Sequence, residues 1–333
     1  MGFTYYRSRD HLRYCFTVNP KLNIVQAPSY SGWVLGVLAR EIKSRLTTFD
    51  SRIVNMVTSR REIRSIYGYL MLPKSEINLF LHLDLALKAI DRGWLKFSEQ
   101  LNIVYVTHLS GEVKDFSVIN DAIDFILVNN TETLHALVLG GVDKNRVLVT
   151  PNPISEEFKI LSSKLPNRDV VFVCNYYLRK RPDLILQTVT SLPDVSFTLI
   201  GKNWENKDEF SLLSKQDNFV YKEFDFQSYP EDLRDHRIYC SLSNLEGGPV
   251  PLLEALVAGL NVVCTDTGTA RDLIPKEFMS NILPTNPNLD LIKKTIKNAL
   301  LQDSPKFETK KQYFYQGFVE LIEEKMIQTQ TLR

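Results

Sequence analysis

The chain has 333 residues, 44% of them apolar and 24% charged, a globular composition long enough for two domains of ordinary size. Its 40 basic and 39 acidic side chains leave a net charge of +1, so bulk charge names no partner and gives no sign of nucleic-acid binding. No run approaches the length of a membrane span, and the opening segment MGFTYYRSRDHLRY is polar without a hydrophobic signal core, so the chain reads as cytoplasmic.

In chain order, the first strand is expected at LNIVQAP, residues 22 to 28, followed by the turn SYSGW and the helical pattern VLGVLAREIKSRL. A strand, a glycine turn and a helix are how nucleotide-fold domains begin. Residues 51 to 75 carry Arg52, Arg60, Arg61, Arg64 and Lys74 against Glu62, with Tyr67, Tyr69 and Leu70 among them. This segment is either a solvated face or a surface for anionic lipid or an anionic acceptor. Besides a strand at RIVNMVT within that segment, further strands are expected at INLFLHLD, NIVYVTH and DFILVNN. In INLFLHLD, His82 and Asp84 face one side of a strand, but two ligands without a third make no metal site. Residues 135 to 158 read as a helix, a Gly-Gly stop, the strand RVLVT and a Pro-Asn-Pro break. The break divides the chain into domains 1–152 and 153–310, with an amphipathic helix in 311–333 free to pack back on the first.

After the break, strands are expected at DVVFVCN, VSFTLIG, NFVYKEF, IYCSLSN and NVVCTD, with a helix from Pro182 to Ser191. The result is α/β twice over. The four cysteines are scattered and suit buried reduced thiols. In EGGPVPLLEALVAGLNVVCTD a helix opens at Pro249 to Pro251, Leu252, Leu253, Leu256 and Val257 form its buried stripe, and Gly259 ends it. Glu254 lies inside that apolar run. An unpartnered carboxylate there costs several kcal/mol on an order-of-magnitude view, so it needs a partner.

These residues carry a family resemblance. Glu246 and Glu254, separated by seven residues within EGGPVPLLEALVAGLNVVCTDTGTARDLI, resemble the paired glutamates of the retaining family-4 glycosyltransferases (glycosyl transferases group 1). VVFVCNYYLRKRPDLIL and AIDFILVNNTETLHALVLGGVDKNRVLVTPNPISEEF resemble further stretches of that family, and the likeness is strongest from residue 122 to 275. It implies the GT-B fold, two Rossmann-like domains facing each other across a cleft.

The same resemblance implies transfer of a sugar from a nucleoside diphosphate, a UDP- or GDP-sugar, to a hydroxyl acceptor, with no cofactor and no required metal. Polysaccharide or glycolipid assembly on a glycan or lipid-linked glycan, at the inner face of a membrane, is the setting it implies. Lys180 and Arg179 would meet the diphosphate and Glu254 the ribose diol. Glu246 and His108 would lie near the sugar. Gly32, Gly201, Gly247, Gly248 and Val250 would border the ligand. Free amides and the positive dipole end of the helix starting at Val250 suit a phosphate. Asn175 stands where the family usually has an arginine, a departure that bears on the diphosphate clamp. Two other classes share the fold: a nucleotide-sugar epimerase, and a binding subunit without turnover.

Overall fold

The structure, a computed structural model, describes residues 22–28, 34–56, 72–95, 99–109, 116–159 and 165–331. Gly32, Arg60, Arg61, Arg64, Tyr67, Tyr69 and Leu70 lie outside them.

Two parallel sheets organise the chain. The first contains β1 (Leu22–Gln26), β2 (Ser51–Asn55), β3 (Ile77–Phe80), β4 (Leu101–Val106), β5 (Phe125–Val128) and β6 (Val147–Val149), in the order β2-β1-β3-β4-β5-β6. The second contains β7 (Arg168–Val173), β8 (Phe197–Gly201), β9 (Phe219–Glu223), β10 (His236–Ser241), β11 (Asn261–Thr265) and β12 (Ile282–Leu283), in the order β12-β11-β10-β7-β8-β9. Helices of eight residues or more are α1 (Val34–Arg45), α2 (Leu83–Asp91), α3 (Thr131–Leu139), α4 (Pro182–Ser191), α5 (Val250–Val257), α6 (Leu289–Leu300) and α7 (Tyr315–Thr331). The strands read as continuous apolar runs because both sheet faces are covered: every residue of β1, β4, β8 and β11 is buried.

The polar exceptions satisfy each other. Asn23, Asn78 and Asn102 stand side by side on β1, β3 and β4. Asn23 Nδ2 donates to Asn78 Oδ1 and Asn78 Nδ2 to Asn102 Oδ1, each at 2.9 Å. This ladder lies near the amino ends of the strands, which leaves the carboxyl ends for the site.

The linker and the last helix tie the halves together. Ile154 pairs with Phe314, its amide donating to Tyr313 O at 2.9 Å while Tyr315 N returns to Ile154 O at 3.2 Å. From there α7 buries Phe318, Val319, Ile322 and Met326 against Leu22, Ile24, Leu38 and Tyr105 of the first sheet's layer. Glu323 on α7 accepts from the amides of Thr47 and Thr48 at 2.9 and 2.7 Å.

INLFLHLD departs from its expected form. The strand ends at Phe80, and His82 caps α2, its Nδ1 accepting from Asp84 N at 3.2 Å. His82 and Asp84 therefore do not share a strand face. An acidic residue in the first helical turn suits the helix dipole, which favours the helix start here. Strand β12 was not foreseen, since two residues carry no periodicity.

Among the described residues, no helix is long and apolar enough to cross a membrane. Cys174, Cys240 and Cys264 are free, and burial pushes the thiols of Cys174 and Cys264 up to about 12, which makes them unreactive.

Candidate functional site

The carboxyl ends of the two sheets meet across a cleft of about 310 Å³. Open α/β sheets bind ligands at this edge. His108 after β4 and Asn130 and Glu132 after β5 line one wall, while Asn244 and Glu246 after β10 and Asp266 after β11 line the other.

Glu246 is the electrostatic centre of that second wall. Its side chain is only 8% exposed, and it accepts from Lys180 Nζ and lies 2.9 Å from Arg179 Nη1. Burial pushes the carboxyl up, but the charge of Lys180, then that of Arg179, and hydrogen bonds from Lys180 and Ser243 outweigh it and hold the group below its ordinary value. Two cations are thus gathered on one ionised carboxylate beside the cleft. The third member of the RKR run does not join them. Arg181, at φ 55°, turns away and pairs with Asp183, its Nη2 2.8 Å from Oδ2. Asn175 Oδ1 accepts from Lys202 N at 3.0 Å.

The EGGP turn is fitted against the first domain. A Cβ on Gly247 would come within 2.2 Å of Thr107 O and 2.9 Å of His108 Cβ, so only glycine allows the approach. Asn130 caps α3 by accepting from Thr133 N at 2.7 Å, and its Nδ2 donates to Gly247 O. Asn152 Nδ2 donates to Gly248 O at 2.9 Å, with its Oδ1 held by the Tyr105 hydroxyl at 2.9 Å. Gly247 and Gly248, expected to admit a ligand, thus also admit the other domain. Val250 then opens α5, whose start no side chain caps.

Glu254, one turn further on, is buried, and Tyr229 donates to its Oε2 at 2.7 Å. Burial pushes the carboxyl up to about 7 against the opposing pull of the Tyr229 hydroxyl. A protein hydroxyl therefore already satisfies part of the need for which a ligand diol was expected. Gly201 is buried at the end of β8, where a Cβ would come within 1.9 Å of Cys174 O, so packing alone requires it.

His108 is exposed to the cleft, and its ring meets that of His82 edge-on with centroids 5.0 Å apart. Neither histidine was expected beside the other, because their loops are 26 positions apart in the chain and follow adjacent strands. Sequence reasoning also missed Asn130, Glu132 and Asp266. Asn130 has a readable helix-cap signal, whereas its bond across the cleft has none. Asp266 is held by Arg271, whose Nε lies 2.8 Å from Oδ1. Among the described residues, no group of three His, Cys, Asp or Glu side chains is placed to hold a metal ion.

Residues 153–317 match the family described as glycosyl transferases group 1. Curated protein sequences contain no detectable relative of this chain. Similar folds recur among solved structures. The Anabaena protein Alr3699/HepE in complex with UDP is 13% identical with a TM-score of 0.68, over 94% of this chain and 99% of that one. A glycosyltransferase from Rickettsia africae ESF-5 is 11% identical with a TM-score of 0.64, over 93% and 98%. The apo form of the lipopolysaccharide outer core galactosyltransferase WaaB is 14% identical with a TM-score of 0.58, over 91% and 99%. Through residues 153–317 the chain belongs to the glycosyl transferases group 1 family, and as a whole it has the GT-B fold of two Rossmann-like domains facing each other across a cleft.

Proposed function

We propose that this protein transfers a sugar from a nucleoside diphosphate, UDP-linked in the first instance, to a hydroxyl acceptor with retention of configuration. The observation that carries the reading is the gathering of Lys180 and Arg179 on the buried Glu246 at the cleft wall. A glycosyl transfer releases a diphosphate, and charge that grows on the leaving oxygen is best met by preorganised cations and helix amides in a sheltered site. Lys180 and Arg179 would supply that charge together with the start of α5, so the reading requires no metal. Arg179 would also answer the departure at Asn175 by offering the diphosphate a neighbouring guanidinium. On the diphosphate's arrival the two cations would shift to it, and Glu246 would turn to the sugar.

Glu254 would accept from the ribose hydroxyls, and the acceptor would enter along His108, Asn130 and Glu132. Retention would follow from attack on the face the diphosphate leaves, the departing phosphate taking the acceptor proton. A UDP complex in the Anabaena neighbour favours UDP over other carriers. The acceptor would be a glycan or lipid-linked glycan, and the basic residues between 51 and 75 would hold the protein at an anionic membrane face. Thermal-shift screening against UDP-, GDP-, ADP- and dTDP-sugars tests the reading: one base class should raise the melting temperature by mass action. A flat response to all four removes it, and release of modified free sugar nucleotide without acceptor would mark an epimerase instead.

A further inference from the structure

We propose that Tyr229 is a positioning residue of the sugar-nucleotide site, its hydroxyl holding the Glu254 carboxylate ionised and aimed so that it can accept from both ribose hydroxyls. The inference rests on the reading of Glu254 as the ribose partner.

Glu254 is set among Leu252, Leu253, Ala255 and Leu256, all buried. Among the described residues no cation forms an ion pair with it; the titratable groups that face it are the phenols of Tyr229 and Tyr315. Tyr229 alone of these donates to it, at 2.7 Å. The donor is itself held in place. Its ring lies edge-on to Phe158 at 5.7 Å and tilted against Phe224 at 4.9 Å, within the core cluster that also holds Leu253 and Tyr239. Rotation of the phenol would break this packing, so the hydroxyl is presented at one place.

The protonation state matters for recognition. An ionised carboxylate has acceptor positions only, enough for Tyr229 and two ribose hydroxyls together, whereas a protonated one spends an oxygen on its own hydrogen and turns one hydroxyl away. Burial pushes Glu254 towards the protonated form, and the Tyr229 hydrogen bond opposes it. Without the hydroxyl, a larger share of molecules at neutral pH would present the wrong form.

The test measures the affinities of UDP, GDP and ADP, each with its 2′-deoxy counterpart, by calorimetry from pH 5.5 to 9. Wild type, Tyr229→Phe, Glu254→Gln and Phe158→Leu are compared, with melting curves for each. Tyr229→Phe should bind the preferred nucleotide about fivefold more weakly at pH 7, with the acid limb of affinity moved up by about one pH unit and affinity recovering towards pH 9. In the Glu254→Gln background the same change should move no acid limb, because no charge is left to hold. Phe158→Leu, which loosens the cluster with the hydroxyl in place, should lower the melting temperature without moving the limb. Should Tyr229→Phe lose its cooperative melt, 3-fluorotyrosine placed at position 229, a stronger hydrogen-bond donor, should move the limb the other way.

An acid limb at the wild-type position in Tyr229→Phe or the fluorotyrosine protein overturns the role of Tyr229. So does an equal movement in Phe158→Leu. If Glu254→Gln leaves both affinity and the ribose preference untouched, or none of the three nucleotides binds wild type, the ribose reading itself is what falls.

Discussion

Asp272 of the second domain accepts from both the amide and the hydroxyl of Thr131 in the first, at 2.8 and 2.6 Å, and so caps α3 from across the cleft. A helix start otherwise leaves amides unbonded, and here the opposite domain supplies the acceptor. Asp272→Ala should cost about 1 kcal/mol of stability in urea unfolding, with Thr131→Val costing less and the double variant well short of additive. Additive losses would mean the contact is not formed in solution.

Glu246→Gln removes the charge that gathers Lys180 and Arg179 while leaving the turn intact. Turnover should fall about a hundredfold or more, because the carboxylate would act at the reacting sugar. UDP should bind at least as tightly as before, since the two cations are released from their internal partner. Titration of UDP alongside steady-state rates separates the two effects, and a parallel loss of both would assign Glu246 to the carrier instead.

The three cations of the RKR run should behave differently on replacement. Lys180→Ala should slow transfer most, and the loss should shrink for a sugar carrying a better leaving group, because the lysine would act on the departing charge. Arg179→Ala should show the same pattern more weakly, being more exposed than Lys180. Arg181→Ala, whose guanidinium is committed to Asp183, should leave kcat/KM within about threefold of wild type, as expected of a group remote from the chemistry. Equal losses across all three would make the cluster a solvated patch.

Glu254 trades stability for function. Its folded-state value of about 7 lies above its ordinary 4.5, so its contribution to stability is fully present below pH 4.5 and is lost as the pH rises to about 7. Glu254→Gln, which keeps an acceptor for Tyr229 without the charge, should therefore unfold at higher urea than wild type at pH 8 and not at pH 4.5. The gain is about 3 kcal/mol at most, from the linkage of shift to free energy. Unfolding midpoints at the two pH values check it, and the same variant should bind UDP more weakly.

Much of this protein is determined by local pattern. Apolar runs bounded by turn residues place eleven of the twelve strands among the described residues, because a strand buried on both faces must be apolar whatever surrounds it. Pro182 and Gly259 mark helix ends through their own backbone preferences. Glu254 could be singled out because a carboxylate in an apolar run is costly anywhere. Tertiary structure decided the partners: that Tyr229 reaches Glu254 from 25 positions away, that Arg179 and Lys180 converge on Glu246 while Arg181 does not, and that Asn130 and Asp272 bridge the domains. The RKR run shows the reason. Three adjacent cations are nearly equivalent in sequence, and only the left-handed turn at Arg181 and the approach of the β10 loop send two to one carboxylate and the third to another. A hydrogen bond or ion pair between distant segments depends on angstrom-scale placement that neither residue's neighbours encode.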